Sequence, residues 1–207
     1  YASLFIGLAA AVDFLDGFVA RAFNASSEMG KQLDSLADLV SFGVAPGLIL
    51  YQFLRLGFAR ETSSLDTSIL WLAPAFLVPC AAAWRLARFN LDTTQQHSFK
   101  GMPVPAAGLF VASLPLIYWN VNQETIQTAL INKWVIYGII VILSWLMVST
   151  LPLMALKFKD FSVKNNWSKY LLVVLSIVLF VAVKWLAIPL AVLAYVLLSL
   201  LFKNKAA

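Results

Sequence analysis

Cysteine and histidine are nearly missing from this chain: Cys80 and His97 are single residues in a length of 207. One cysteine cannot close an internal disulfide, and no Cys/His cluster has the spacing of a zinc site. Cys80 lies in an apolar run and reads as a small buried hydrophobe rather than a reactive thiol. Charge is scarce too. Charged residues make up 12% of the chain and hydrophobic ones 61%, whereas a soluble domain carries about 25% charged residues. This excludes an ordinary soluble domain and makes lipid the solvent for most of the chain. The net charge of +5 does not point to nucleic acid in so apolar a chain; cytoplasmic loops and anionic lipid headgroups account for it. No secretory signal pattern is visible. Tyr1 stands inside an apolar run, so a further span is expected upstream.

What is present is a series of apolar runs long enough, or nearly so, to span a bilayer. They cover roughly 2–22, 32–54, 68–91, 104–121, 133–156, 168–184 and 186–202. The expected fold is all-α: a polytopic transmembrane bundle with seven visible spans. We read 1–207 as a single membrane domain, with a catalytic core at about 1–121 and additional spans at about 133–202. The last two runs are short and meet at Lys184-Trp185, as in a tight helical hairpin. Pro189 falls in the first turn of the final helix, where a missing N–H costs little. Trp71, Trp119, Trp134, Trp167 and Trp185 lie near span ends, as an aromatic belt predicts.

Lysine and arginine counting orients the bundle. One side holds Arg21, Lys31, Arg85, Arg88, Lys100, Lys157, Lys159, Lys164, Lys169, Lys203 and Lys205; the other holds Arg55, Arg60, Lys133 and Lys184. The richer side is expected to be cytoplasmic, which places the protein in the cell (inner) membrane as a multi-pass chain.

Four carboxylates stand inside or beside these apolar runs: Asp13, Asp16, Asp34 and Asp38. An aspartate at the centre of a membrane helix costs about 2.5–3.5 kcal/mol on insertion scales. Four such costs, worsened by repulsion, call for a cation among them. Asp13 and Asp16 are three apart and share one helix face; Asp34 and Asp38 are four apart on the next helix. A short loop joins the two helices, so they are expected to be antiparallel neighbours. Their carboxylates then converge just under the cytoplasmic surface. An all-oxygen cluster suits hard divalent cations, and four carboxylates suit two ions of Mg²⁺ or Mn²⁺.

The stretch reads Asp13-x2-Asp16-Gly17-x2-Ala20-Arg21-x8-Gly30-x3-Asp34-x3-Asp38. It resembles the signature of the CDP-alcohol phosphatidyltransferase family, with every fixed position filled and every spacing kept. The resemblance implies a CDP-linked lipid as donor and two metal ions on the four aspartates, with Asp38 as general base toward the acceptor hydroxyl. It also implies donor contacts from Ser27. The residues themselves fit that role: Gly17 and Ala20 leave room for a nucleotide, and Arg21 can meet phosphate. With Asp13, Asp16 and Gly30 these make up the expected CDP-lipid site.

Three further segments, 35–46, 85–90 and 99–107, are similar to the phosphatidylserine synthase branch of that family. The resemblance implies transfer of a phosphatidyl group from CDP-diacylglycerol to L-serine in phospholipid biosynthesis. Arg85, Arg88 and Lys100 gather at the cytoplasmic end, where a guanidinium can hold a carboxylate in a bidentate pair. Arg88 is expected to bind the serine carboxylate, assisted by Arg85 or Lys100, with hydrogen bonds from Ser41 and Asn90. Plain anchoring of a helix end remains the alternative for both arginines. The Gly101-x-Pro-x-Pro segment reads as a rigid loop entering the next span. Other acceptors, glycerol phosphate or an inositol phosphate, stay open, as does a divalent-cation transporter, although a transporter would place its site near the midplane. Partners are thus CDP-diacylglycerol, L-serine and membrane lipids, with a homodimer left open.

The orientation has a direct test. Single cysteines placed in the 21–31, 85–100 and 157–169 loops, in a background with Cys80 replaced, should all escape a membrane-impermeant thiol reagent applied to intact cells. Labelling of any one would reverse the assignment.

Overall fold

In lipid a backbone must satisfy its own polar groups, and a helix does so within one segment. The computed structural model is accordingly almost all helical. It describes residues 1–23, 27–62, 67–92, 99–154 and 166–202; the side chains of residues 20–22, 62, 99 and 100 lie outside that description. α1 (Ala2–Ala22) precedes a continuous rod of α2 (Glu28–Leu39), a π-helical segment (Val40–Val44) and α3 (Ala45–Thr62). The next rod is α4 (Ile69–Leu72), a 3-10 turn (Ala73–Phe76) at Pro74, and α5 (Leu77–Leu91). Then come α6 (Val104–Asn120), α7 (Glu124–Leu130), α8 (Lys133–Val148), α9 (Trp167–Val183) and α10 (Ala187–Leu201). The strand content is one antiparallel ladder of two residues per strand among the described residues. It joins β1 (Phe99–Lys100) to β2 (Pro152–Leu153), with Phe99 opposite Leu153.

Helices stand at all seven expected places, but their lengths are uneven. Among the described residues, Ala2–Val19, Glu28–Glu61, Ile69–Leu91 and Trp167–Leu201 are long and apolar enough to cross a membrane, and the bent pair α7–α8 could be a fifth. α6, α8, α9 and α10 have 17, 16, 17 and 15 residues. At 1.5 Å per residue they reach about 23–26 Å, short of a hydrocarbon layer of about 30 Å. The 35 residues of Trp167–Leu201 do not form one rod. Lys184 has φ 49 and turns the chain, so that α9 and α10 pack against each other as the expected hairpin.

Three expectations need correction. The run read as 133–156 ends as helix at Val148, because Pro152 cannot extend it and the chain enters β2 instead. The connection at 122–132 contains α7, which meets α8 at 62°. Cys80 is exposed rather than buried. An apolar run cannot distinguish a core face from a lipid face, since both are apolar.

The π-helical segment arises from Pro46. Proline lacks an N–H, and its ring clashes with the carbonyl four residues back, here that of Phe42. The helix widens just before it, and the Ala45 N–H donates to the Val40 carbonyl five residues back. The widened turn buries Phe42, which is 1% exposed, against α6. A Cβ on Gly108 would lie 2.8 Å from the Phe42 Cβ and 2.9 Å from its Cα. α6 is the central post, packed by α1, α3, α10 and the π-helical segment.

The loops sort to two ends. At one end Arg88 of α5 donates to the carbonyls of Val148 and Ser149, both at 2.8 Å, and β1 pairs with β2. Gly101 sits there at φ +80, where a Cβ would lie 2.6 Å from the Met147 carbonyl oxygen. At the opposite end Lys133 pairs with Glu61, and the Tyr137 hydroxyl donates to the Trp71 carbonyl at 2.6 Å.

Glycine substitutions test this packing. Gly108→Ala should destabilise by about 1–3 kcal/mol, since its Cβ meets backbone as well as side chain. Gly138→Ala on α8 meets nothing within 4 Å and should be neutral or stabilise by up to about 1 kcal/mol. Unfolding in mixed micelles would reveal the difference; equal midpoints would mean that Phe42 and α6 can part freely.

Candidate acidic site

α2 begins with a serine cap. The Ser27 side chain accepts a hydrogen bond from the Gly30 N–H at 3.0 Å. Gly30 leaves space for the cap, since a Cβ there would lie 3.1 Å from the Ser27 Oγ. This cap satisfies one of the four free N–H groups of the first turn. It fixes the start of the helix that carries Asp34 and Asp38 one turn apart. α1 presents Asp13 from the other side. Carboxylate oxygens of Asp13, Asp34 and Asp38 all lie within 4.8 Å of one another. Asp13 and Asp38 are half-buried and Asp34 is exposed. Asp16 is exposed and stands outside this trio.

At that spacing, three ionised carboxylates repel by at least about 3.5 kcal/mol per pair at an effective dielectric constant of about 20. A divalent cation removes the repulsion. The donors are all oxygen, which fits a hard ion. Bonds of about 2.1 Å need oxygens no more than about 4.2 Å apart, so a small rotamer adjustment closes the trio on an ion.

α1 does not pack along α2 as expected of antiparallel neighbours. Its main partner is α6. α2 buries none of its residues, so the acidic face between the two helices stays open.

The remaining expected residues separate by task. Gly17 is half-buried on α1 and Ser41 is half-buried in the π-helical segment. Ala20 and Arg21 belong to α1 and Lys100 to β1, but their side chains lie outside the described residues. Arg85 is 6% exposed and stacks over the Phe89 ring at 5.3 Å. It lies within electrostatic reach of Asp38. Arg88 has its two terminal nitrogens on the Val148 and Ser149 carbonyls, where it caps α8. Asn90 donates to the Ser35 hydroxyl at 2.9 Å and ties α5 to α2. Two buried polar residues on α10, Tyr195 and Ser199, are 4% exposed each. They escaped the sequence reading, although their spacing of four in an otherwise apolar run was a signal.

Fold and site together define a helical membrane protein with an acidic centre between its first two helices. Its residues 1–150 match the family model for CDP-alcohol phosphatidyltransferase, and the chain belongs to that family. Similar curated proteins include the CDP-diacylglycerol–serine O-phosphatidyltransferase of Helicobacter pylori strain J99. It is 36% identical over 170 residues, 79% of this chain and 63% of that protein. The protein of the same name from Bacillus subtilis is 39% identical over 119 residues, 56% of this chain and 61% of the relative. That from Saccharomyces cerevisiae is 46% identical over 113 residues, 50% of this chain and 37% of the relative. The chain thus spans less than two thirds of the length of these relatives.

Cation titration probes the trio without reference to turnover. Asp13→Asn, Asp34→Asn and Asp38→Asn should each weaken Mn²⁺ binding, followed by its paramagnetic resonance signal, at least about tenfold, or about 1.4 kcal/mol. Asp16→Asn should weaken it less. Unchanged affinity in Asp34→Asn would separate the trio from any metal.

Proposed function

We propose that this chain transfers the phosphatidyl group of CDP-diacylglycerol to the hydroxyl of L-serine, giving phosphatidylserine and CMP. The observation that carries the reading is the convergence of Asp13, Asp34 and Asp38 on one point in a chain of this family. The choice of serine is supported by the names of the relatives, each of which specifies that acceptor. Two divalent ions, Mg²⁺ or Mn²⁺, held by these three residues and Asp16, would neutralise the donor pyrophosphate and polarise the phosphorus.

The protein's own groups supply the rest. Asp38 takes the proton from the serine hydroxyl. That oxygen forms a bond to the phosphorus that carries diacylglycerol. The bond from this phosphorus to the CMP oxygen breaks, and CMP leaves with the electron pair. In this reading Gly17 and Ala20 would leave space for the nucleotide, and Arg21, Ser27 and Gly30 would serve its phosphates. Arg85 pairs with the serine carboxylate. Its burial beside Asp38 suits that task better than the position of Arg88, whose nitrogens already cap α8. Arg88 and Asn90 act as supports in this reading, and Ser41 and Lys100 complete the acceptor side. The chain works as one membrane domain, alone or as a homodimer, with its site facing the cytoplasm of the cell membrane.

An acceptor screen on the purified chain in mixed micelles with CDP-diacylglycerol tests this. CMP release should require L-serine and a divalent cation, and chelation should stop it. Asp38→Asn should lower kcat by about 10²–10⁴. Arg85→Lys should raise the serine KM and leave that for CDP-diacylglycerol nearly unchanged. Release with glycerol phosphate or an inositol phosphate instead would reassign the acceptor. Cation uptake into vesicles without CMP release would favour a transporter.

A further inference from the structure

The last helix reaches the site end of the bundle through two buried hydroxyls. The Tyr195 hydroxyl donates to the Met154 carbonyl at 3.0 Å. The Ser199 hydroxyl accepts from the Met154 N–H at 3.2 Å and donates to the Tyr195 carbonyl at 2.7 Å. Both backbone polar groups of Met154 are therefore held by α10. Met154 directly follows β2, and β2 pairs with β1. The residue after β1, Gly101, donates its N–H to the Leu151 carbonyl at 2.9 Å, and the next, Met102, donates to the Leu146 carbonyl at 2.9 Å. A continuous set of hydrogen bonds thus runs from α10 through 151–154 to 99–102.

Tyr195 also lies within electrostatic reach of Arg85, the buried arginine that is itself within electrostatic reach of Asp38. Both α10 hydroxyls fall beyond residues 1–150, the part that defines the family. They are buried polar groups in a lipid-embedded helix, a placement that is costly without a task. A hydroxyl can pack into a helix by bonding its own carbonyls alone. Ser199 makes such a bond toward Tyr195, but both hydroxyls also bond a segment more than forty residues away in the chain.

We infer that Tyr195 and Ser199 are positioning residues for the acceptor side of the site, where they brace the 99–102 turn and the surroundings of Arg85 from the last helix. The inference rests on the reading of Arg85 as the partner of the acceptor carboxylate. The brace itself does not depend on which alcohol is used. Tyr195→Phe keeps the ring and deletes the hydroxyl. Ser199→Ala leaves the Met154 N–H without its partner, whereas Ser199→Thr keeps a hydroxyl there.

The test uses the full chain in nanodiscs and two readouts. Amide hydrogen exchange in 99–102 and 151–154, without substrates, should speed up at least about tenfold in Tyr195→Phe and Ser199→Ala, and stay near wild type in Ser199→Thr. In the same two variants the acceptor KM should rise at least about fivefold, while kcat and the CDP-diacylglycerol KM stay within about twofold. Unchanged exchange would overturn the brace. Faster exchange with an unchanged acceptor KM, or an equal rise for both substrates, would overturn the positioning role. Absence of serine-dependent turnover in the wild-type chain would refute the proposed function instead. The exchange experiment would still decide the brace, and the acceptor found in the screen would replace serine in the KM comparison.

Discussion

The contact between Phe42 and Gly108 holds the acidic site in place. α2 carries Asp34 and Asp38 yet buries no residue of its own, and a hydrogen bond from Asn90 to Ser35 ties it to α5. It is held as well by the next turn of the same rod. The π-helical turn at 40–44 drives Phe42 against the bare backbone of α6 at Gly108, and Gly43 sits close to Ala82 of α5. Because the helix is continuous through that turn, locking Phe42 locks the direction of α2. Asp38 lies one turn from the contact. In lipid, where there is little hydrophobic drive between helices, such close approach through a glycine is the main source of specific packing.

The same helix links the site to the rest of the chain. α6 starts beside the 99–102 turn and is packed by α1, α3 and α10, so the three parts of the site reach it independently. α1 brings Asp13, the α2 rod brings Asp34 and Asp38, and α10 fastens the turn that precedes α6. The carboxylates therefore do not need a tight α1–α2 pair. Their relative position is set through a third helix, which leaves the space between them free for a ligand.

Much of this was legible in the sequence, and the parts that were not share a cause. Long apolar runs betrayed the helices, and carboxylates too costly for lipid pointed to the aspartates, three of which the fold brings together. Lys184-Trp185 marked the final hairpin. Side-chain partners were not legible, because they depend on tertiary contacts. Arg85 and Arg88 look equivalent at a spacing of three, but the last carbonyls of α8 take the Arg88 guanidinium, while Arg85 is buried over the Phe89 ring. The hydrogen bond by which Asn90 ties α5 to α2 is likewise a tertiary contact. Exposure misled at Cys80 for a related reason, since a lipid face and a core face have the same composition. The π-helical turn left a trace in Pro46, but a proline in a helix predicts a distortion without saying of which kind.

Geometry also bears on how an amphiphilic donor could reach such a site. The rod Glu28–Glu61 has 34 residues, about 51 Å at 1.5 Å per residue, against a hydrocarbon layer of about 30 Å. Part of it must leave the apolar layer. Both ends are polar: Glu28, Lys31, Gln32 and Ser35 accompany the two aspartates on α2, and Arg60 and Glu61 close α3. With α2 leaving the apolar layer, the carboxylate trio would lie at the level of lipid headgroups, where a CDP-linked lipid carries its pyrophosphate. On α1 and α2 the flanking Phe14, Phe18, Leu33 and Leu36 are all exposed, so acyl chains would meet apolar side chains beside the charge. On the proposed function, a donor entering sideways would not lift its chains out of lipid. An open acidic face beside exposed apolar side chains is thus what the proposed pair of substrates, one in lipid and one in water, would require.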